Sequence, residues 1–153
     1  MIYNQPTIYK SGNELQKSPW IDITNDVVTK YPTQERLKKF FYNKDAKFIY
    51  FRLSFNDGIL NKTISANGVF DTYYDDEQQT LFTLPNKYEV ILGEGYGLPY
   101  KNVGAAVYVP ACLGSWYYSN SLGIFAFIAS NISSSSVTIR SFSLYGNIPV
   151  KEL

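Results

Sequence analysis

Histidine is absent from the 153-residue sequence. That absence excludes Ser-His-Asp and Cys-His nucleophile systems, histidine-based metal motifs and the side chain that ordinarily changes charge near neutral pH. Cysteine occurs once, as Cys112, which excludes an intrachain disulfide framework and a cysteine-based zinc site. With no histidine to activate it, the Cys112 thiol reads as a buried, inert group. A surplus of one charge is also lacking. Fourteen basic residues face 13 acidic ones, a formal net charge of +1. No segment concentrates lysine and arginine, so a nucleic-acid partner held by bulk electrostatics is excluded. Long hydrophobic runs are missing too: the longest, Leu122 to Ala129, is far too short to span a bilayer. Met1-Ile2-Tyr3-Asn4 shows no basic start leading into an apolar run, so no signal peptide is expected. The expectation is a soluble chain without membrane insertion.

Aromatic residues are plentiful, at 17% of the chain with 14 tyrosines. Aromatic and β-branched side chains suit pleated, half-buried surfaces, which points to an all-β fold. The length fits one domain with a real core. Residues 1–18 are polar and read as an N-terminal tether, leaving 19–153 as the domain. Pro19 to Thr24 reads as a first strand with Trp20 at its mouth, and 25–34 as loop. Glu35 to Tyr42 combines helical spacing (Leu37, Phe40, Phe41) with an aromatic end entering a turn; strand is preferred. Ala46 to Phe55 is the clearest strand, with Ile49, Phe51, Leu53 and Phe55 on an apolar face and Phe48, Tyr50, Arg52 and Ser54 on a mixed one. Asn56-Asp57-Gly58 and Asn67-Gly68 are turn signals around a weaker strand at 59–66.

The organising stretch is Thr80 to Tyr88. Leu81 and Thr83 are expected on one face and Phe82 and Leu84 on the other. Pro85 cannot continue a ladder, and Tyr88 restarts one. Residues 93–99 form a Gly-rich loop, and Val103, Ala105, Val107 and Val109 alternate as a strand. Cys112 to Tyr118 gives another. Leu122 to Ala129 is apolar on both faces and is expected to be covered twice, inside a sandwich or by another subunit. A change of phase near Arg140-Ser141 predicts a bulge in the last strand. Roughly eight to ten short strands, with turns about every 8–12 residues, indicate an antiparallel sandwich or barrel.

The order of a Trp-containing first strand, the aromatic hairpin Phe40-Phe41-Tyr42 to Ala46-Phe55, Phe82-Thr83-Leu84-Pro85 with Tyr88, a Gly-containing loop and the strand Val137 to Tyr145 resembles the C-terminal head domains of tailed-phage receptor-binding, tail-fibre and baseplate proteins. The resemblance spans about Trp20 to Tyr145. Glu89-Val90 stands where the family often has Arg-Pro, and Asn43-Lys44-Asp45 replaces the usual hairpin glycine. The resemblance implies a β-sandwich or jelly-roll-like head, homotrimeric, located on the virion at the tail tip or baseplate. It implies host cell-wall saccharide and other tail or baseplate proteins as partners.

Three constellations are candidates for chemistry. In Trp116-Tyr117-Tyr118-Ser119-Asn120, sugar C–H faces could stack on Trp116 or Tyr118 while Asn120 fixes hydroxyls; the alternative is that these rings are core. In the acidic run 71–77, Tyr73 and Asp75 could meet saccharide hydroxyls or Ca²⁺, although no EF-hand spacing is present and a solvated loop is the plainer reading. In the Gly-rich loop, Tyr96 is a further candidate ligand, and Glu94 sits where backbone N–H groups could approach an anion. No cofactor or metal is expected. The expected function is non-catalytic binding of cell-surface carbohydrate. The alternatives are a structural baseplate or fibre module, and a glycan-degrading enzyme using two of Asp75, Asp76, Glu77, Glu89 and Glu94.

Overall fold

The computed structural model describes residues 8–9, 15–16, 18–91, 100–101, 112–119 and 122–153. The short strands β1 (Ile8–Tyr9) and β2 (Leu15–Gln16) pair with each other ahead of β3 (Trp20–Asp22). A 3₁₀ turn at Thr24–Asp26 leads to β4 (Val28–Thr29), followed by the hairpin β5 (Glu35–Asn43) and β6 (Phe48–Phe55). Then come β7 (Lys62–Ile64), β8 (Val69–Asp71), the one-turn helix α1 (Thr72–Asp75), β9 (Phe82–Thr83) and β10 (Tyr88–Val90). The remaining strands are β11 (Tyr100–Lys101), β12 (Cys112–Ser119), β13 (Ile124–Asn131), β14 (Val137–Ile139) and β15 (Ser143–Glu152).

Two antiparallel sheets carry the architecture: a five-stranded one in the order β10-β15-β6-β5-β3 and a four-stranded one in the order β11-β12-β13-β8. Each alternating strand sends one set of side chains between them, and the protein is an all-β sandwich. From the first sheet come Phe40, Tyr42, Ile49, Phe51, Leu53, Leu144, Ile148 and Val150; from the second come Trp116, Phe125, Phe127 and Ala129; all are buried. Phe51 meets Trp116 edge-on with centroids 5.2 Å apart, a contact that joins the sheets. Each such ring contributes about 1.5–3 kcal/mol through burial.

The stretch around β9 lies between the layers. Phe82 stacks on Phe125 at 4.2 Å and packs against Phe40 and Phe51, each at 5.1 Å. Leu81 is as buried as Phe82, contrary to the expected division of faces, while Thr83 is exposed. The reason is that Leu81 donates its amide to Phe125 O and accepts from the Lys30 amide, so it is fixed between two elements. Thr80 adds a further tie, its Oγ1 accepting from the Phe125 amide at 2.9 Å and donating to Phe82 O at 2.7 Å.

Other expectations are corrected. The loop expected at 25–34 contains the 3₁₀ turn and β4. The weak strand at 59–66 shrinks to Lys62–Ile64. The phase change at Arg140-Ser141 is no bulge: β14 pairs with β7 whereas β15 pairs with β6, so the chain leaves one sheet for another there. A register shift occurs instead between Glu35 and Leu37 on β5. The closing strand runs on to Glu152 through Pro149, which falls where β10 ends and whose carbonyl accepts from the Ile91 amide at 2.9 Å. On β13, Phe125, Phe127 and Ala129 face the core, as an inner strand requires. Over its other face Tyr117 of β12 reaches Asp71 of β8 at 2.7 and 3.0 Å, passing above the intervening β13, where the small Ala126 leaves room. The strand predicted at 103–109 lies outside the described residues.

Candidate functional site

Trp116 is not at a rim. It is 1% exposed, and its Nε1 donates to Tyr145 O at 2.9 Å. Its position on β12, opposite Phe127 in register, points it into the sandwich and removes it as a direct ligand contact. Tyr73 and Asp75 sit on α1. Asp71 caps that helix by accepting from the Tyr73 amide at 2.9 Å, and Asp75 Oδ2 accepts from the Asp71 amide at 2.8 Å, a reciprocal arrangement that closes the helix start. Asp76 is held by Lys30 and by the Tyr31 hydroxyl, each at 3.1 Å, with Lys62 at 3.8 Å. The Tyr31 hydroxyl is pushed far above the ordinary tyrosine range by burial and by Asp76. The acidic run is therefore occupied with structural work. Among the described residues no three metal-ligating side chains of the His, Cys, Asp or Glu type come together. Asn120, Tyr96 and Glu94 lie outside the described residues.

Tyr118 is placed differently. It is half-buried, paired with Phe125 across β12 and β13, with ring centroids 4.8 Å apart. Phe125 in turn stacks on Phe82, so three rings form a ladder from the edge into the core. That ladder backs a cleft of about 660 Å³. Such a volume lies within the range of small-ligand sites. The opposite lip is the turn Leu84-Pro85-Asn86, closed by a bond from the Tyr88 amide to Pro85 O at 3.0 Å. The floor continues along β10 to Val90 and Ile91, with Lys151 of β15 opposite Glu89. Gly123 turns the β12–β13 hairpin with φ of +68°, a conformation that favours glycine.

The cleft thus combines an apolar wall (Leu84, Pro85, Tyr118) with a polar rim (Asn86, Glu89, Lys151). Beneath it the Tyr42 and Tyr88 rings contact at 4.7 Å, and both hydroxyls are buried beside Glu152. Burial first, and the Glu152 charge second, raise both above the ordinary tyrosine range. Cys112 is half-buried rather than buried as expected, and desolvation raises its thiol above the ordinary range.

Of the four singled-out residues that the structure describes (Trp116, Tyr118, Tyr73 and Asp75), Tyr118 alone lines this cleft. Sequence reasoning missed Leu84, Pro85, Asn86 and Lys151 as partners of Tyr118, and named Glu89 only among the carboxylates of the enzymatic alternative. One signal was available: a strand stopped by Leu-Pro and restarted at Tyr88 must expose a lip. Nothing local tells which strand faces that lip. Comparison of the chain with family models, with curated proteins and with solved structures gave no match.

Proposed function

We propose that this chain is a non-catalytic carbohydrate-binding module, the head of a phage tail receptor-binding protein that takes a host cell-surface saccharide. The observation that carries the reading is the cleft at Tyr118, where an apolar wall on fixed strands meets three polar side chains of different hydrogen-bonding type. A sugar ring laid along Tyr118 and Pro85 turns its C–H face to them and its hydroxyls to the Asn86 amide, the Glu89 carboxylate and the Lys151 ammonium. Because the wall belongs to strands and a hydrogen-bonded turn, little order has to be gained on binding. One such site is weak, and assembly as a homotrimer would raise avidity through effective concentration. The phage setting rests on the resemblance in strand order set out above.

The test is binding of the full chain to host cell-wall preparations, with Tyr118→Ala and Asn86→Ala compared at equal chemical stability. Binding that falls at least tenfold in both variants upholds the proposal; walls bound equally well by both, or by neither variant nor parent, sink it. Release of reducing sugar that stops in Glu89→Gln would convert the module into an enzyme.

A structural tail module is the second reading. It is favoured by a charge-free row on the outer face of the four-stranded sheet, where Leu113 and Val69 flank Ser130 in register and are 64% and 60% exposed. Such a row suits contact with another protein.

A further inference from the structure

We infer that the outer face of the five-stranded sheet is a second binding surface, adjoining the cleft only at the row of Glu89 and Lys151, whose ligand is an acidic polysaccharide chain. The registers of β15, β6, β5 and β3 place its residues in three rows. One row is Tyr145, Arg52 and Lys39; the next is Asn147, Tyr50, Phe41 and Asp22; the third is Pro149, Phe48, Asn43 and Trp20. Adjacent strands stand about 4.8 Å apart and successive rows about 7 Å apart, so the rings form a continuous shallow platform. Tyr145 is 47% exposed, and Trp20, Phe41, Phe48 and Tyr50 are all partly open to solvent. Trp20 reaches over Asn43 to meet Phe48 edge-on at 5.5 Å, which holds the far end of the platform rigid.

Charge selects the ligand. Lys39 lies near Asp22, whose carboxyl is pulled up by burial but carried below its usual range by hydrogen bonding from Thr24 and by the Lys39 charge. Arg52, between Tyr145 and Lys39, is exposed and has no hydrogen bond or ion pair among the described residues. A polysaccharide carrying carboxylates satisfies that guanidinium with a bidentate contact while its ring faces lie on Tyr145, Tyr50 and Phe41. A second copy of this chain packed two-fold on the same face would bury two cations per copy, Arg52 and Lys39, against one carboxylate, Asp22, and leave charge unpaired, which is costly. The alternation at 46–55 already showed a mixed face bearing Phe48 and Tyr50. Only the register adds Trp20, Phe41, Tyr145 and Arg52 to it.

The experiment is affinity electrophoresis of the full chain in gels containing polygalacturonate, with dextran as the neutral control. Retardation by polygalacturonate but not dextran is expected, weakening as salt is added. Arg52→Gln and Tyr145→Ser, both at exposed positions, should each reduce the apparent affinity about tenfold, the loss of one charge-assisted contact or one stacking ring. Tyr118→Ala should leave it unchanged, which separates failure of this surface from failure of the cleft. No retardation, equal retardation by dextran, or insensitivity to both surface variants would overturn the inference. So would sedimentation showing a dimer that Tyr145→Ser dissociates, because the platform would then be occupied by a second copy.

Discussion

Trp116 and Gly146 interlock. A Cβ built on Gly146 would lie 2.6 Å from Trp116 Cζ2 and 2.9 Å from its Nε1, and the same indole donates to the carbonyl of Tyr145, the preceding residue of β15. The four-stranded sheet is thereby pressed against the backbone of the five-stranded one at its centre, where no side chain could intervene. Gly146→Ala must displace the indole or part the sheets. A loss of about 1–3 kcal/mol is expected by chemical denaturation. Trp116→Ala, which leaves a cavity and an unsatisfied carbonyl, should cost about 3–5 kcal/mol. Any binding defect of that variant would then follow from its fold.

Asn131 is a second internal clasp. It is 2% exposed, and its Nδ2 donates to the carbonyls of Ile64, Ser65 and Ser135 while its Oδ1 accepts from Ser133. Asn131→Asp keeps the shape but turns a carboxylate toward three carbonyl oxygens. Destabilisation of about 3 kcal/mol at neutral pH is expected, partly relieved on acidification as the acid regains a donor. Denaturation midpoints at pH 7 and pH 4 read this directly; equal losses at both would refute it.

The Lys30–Asp76 pair is nearly closed to water, with side chains 4% and 12% exposed. Asp76→Ala strands the Lys30 ammonium and is expected to cost about 3–5 kcal/mol. The double variant Lys30→Met with Asp76→Ala should recover most of that loss, because no buried charge is left unpaired and Lys62, the other partner of Asp76, is open to water. A double variant as unstable as the single one would contradict the argument.

Alkali acts through the buried tyrosines. Tyr31, Tyr42 and Tyr88 all have raised folded-state pKa values, from burial above all and then from Asp76 or Glu152. Above the unfolded-chain value of about 10 the unfolded state releases protons that the native state keeps, so stability falls with rising pH. Below that value the contribution is fully present. Denaturation midpoints should be flat from pH 7 to 9 and decline above about pH 10. Tyrosinate absorbance should appear in part only as the chain unfolds, and free titration of every tyrosine in the folded protein would contradict this.

The sequence by itself determined the class of fold. The alternation read at 46–55 holds from Phe48 to Phe55, Ala46 and Lys47 belonging to the turn. The strand at 112–118, the turn signals at Gly58 and Asn67, and the ladder stop at Pro85 are likewise local facts of backbone geometry that hold in the sandwich. It also excluded whole chemistries through missing histidine and the lone Cys112. Tertiary structure alone decided which rings are core and which are surface. Trp116 and Tyr118 are two residues apart on the same face of β12, yet one is sealed beneath Gly146 and the other opens onto a cleft whose far lip lies more than thirty residues earlier in the chain. Period-two patterning assigns a side chain to a face of its strand. What stands opposite that face depends on how the strands are ordered and where each sheet ends, and contacts between distant segments fix both.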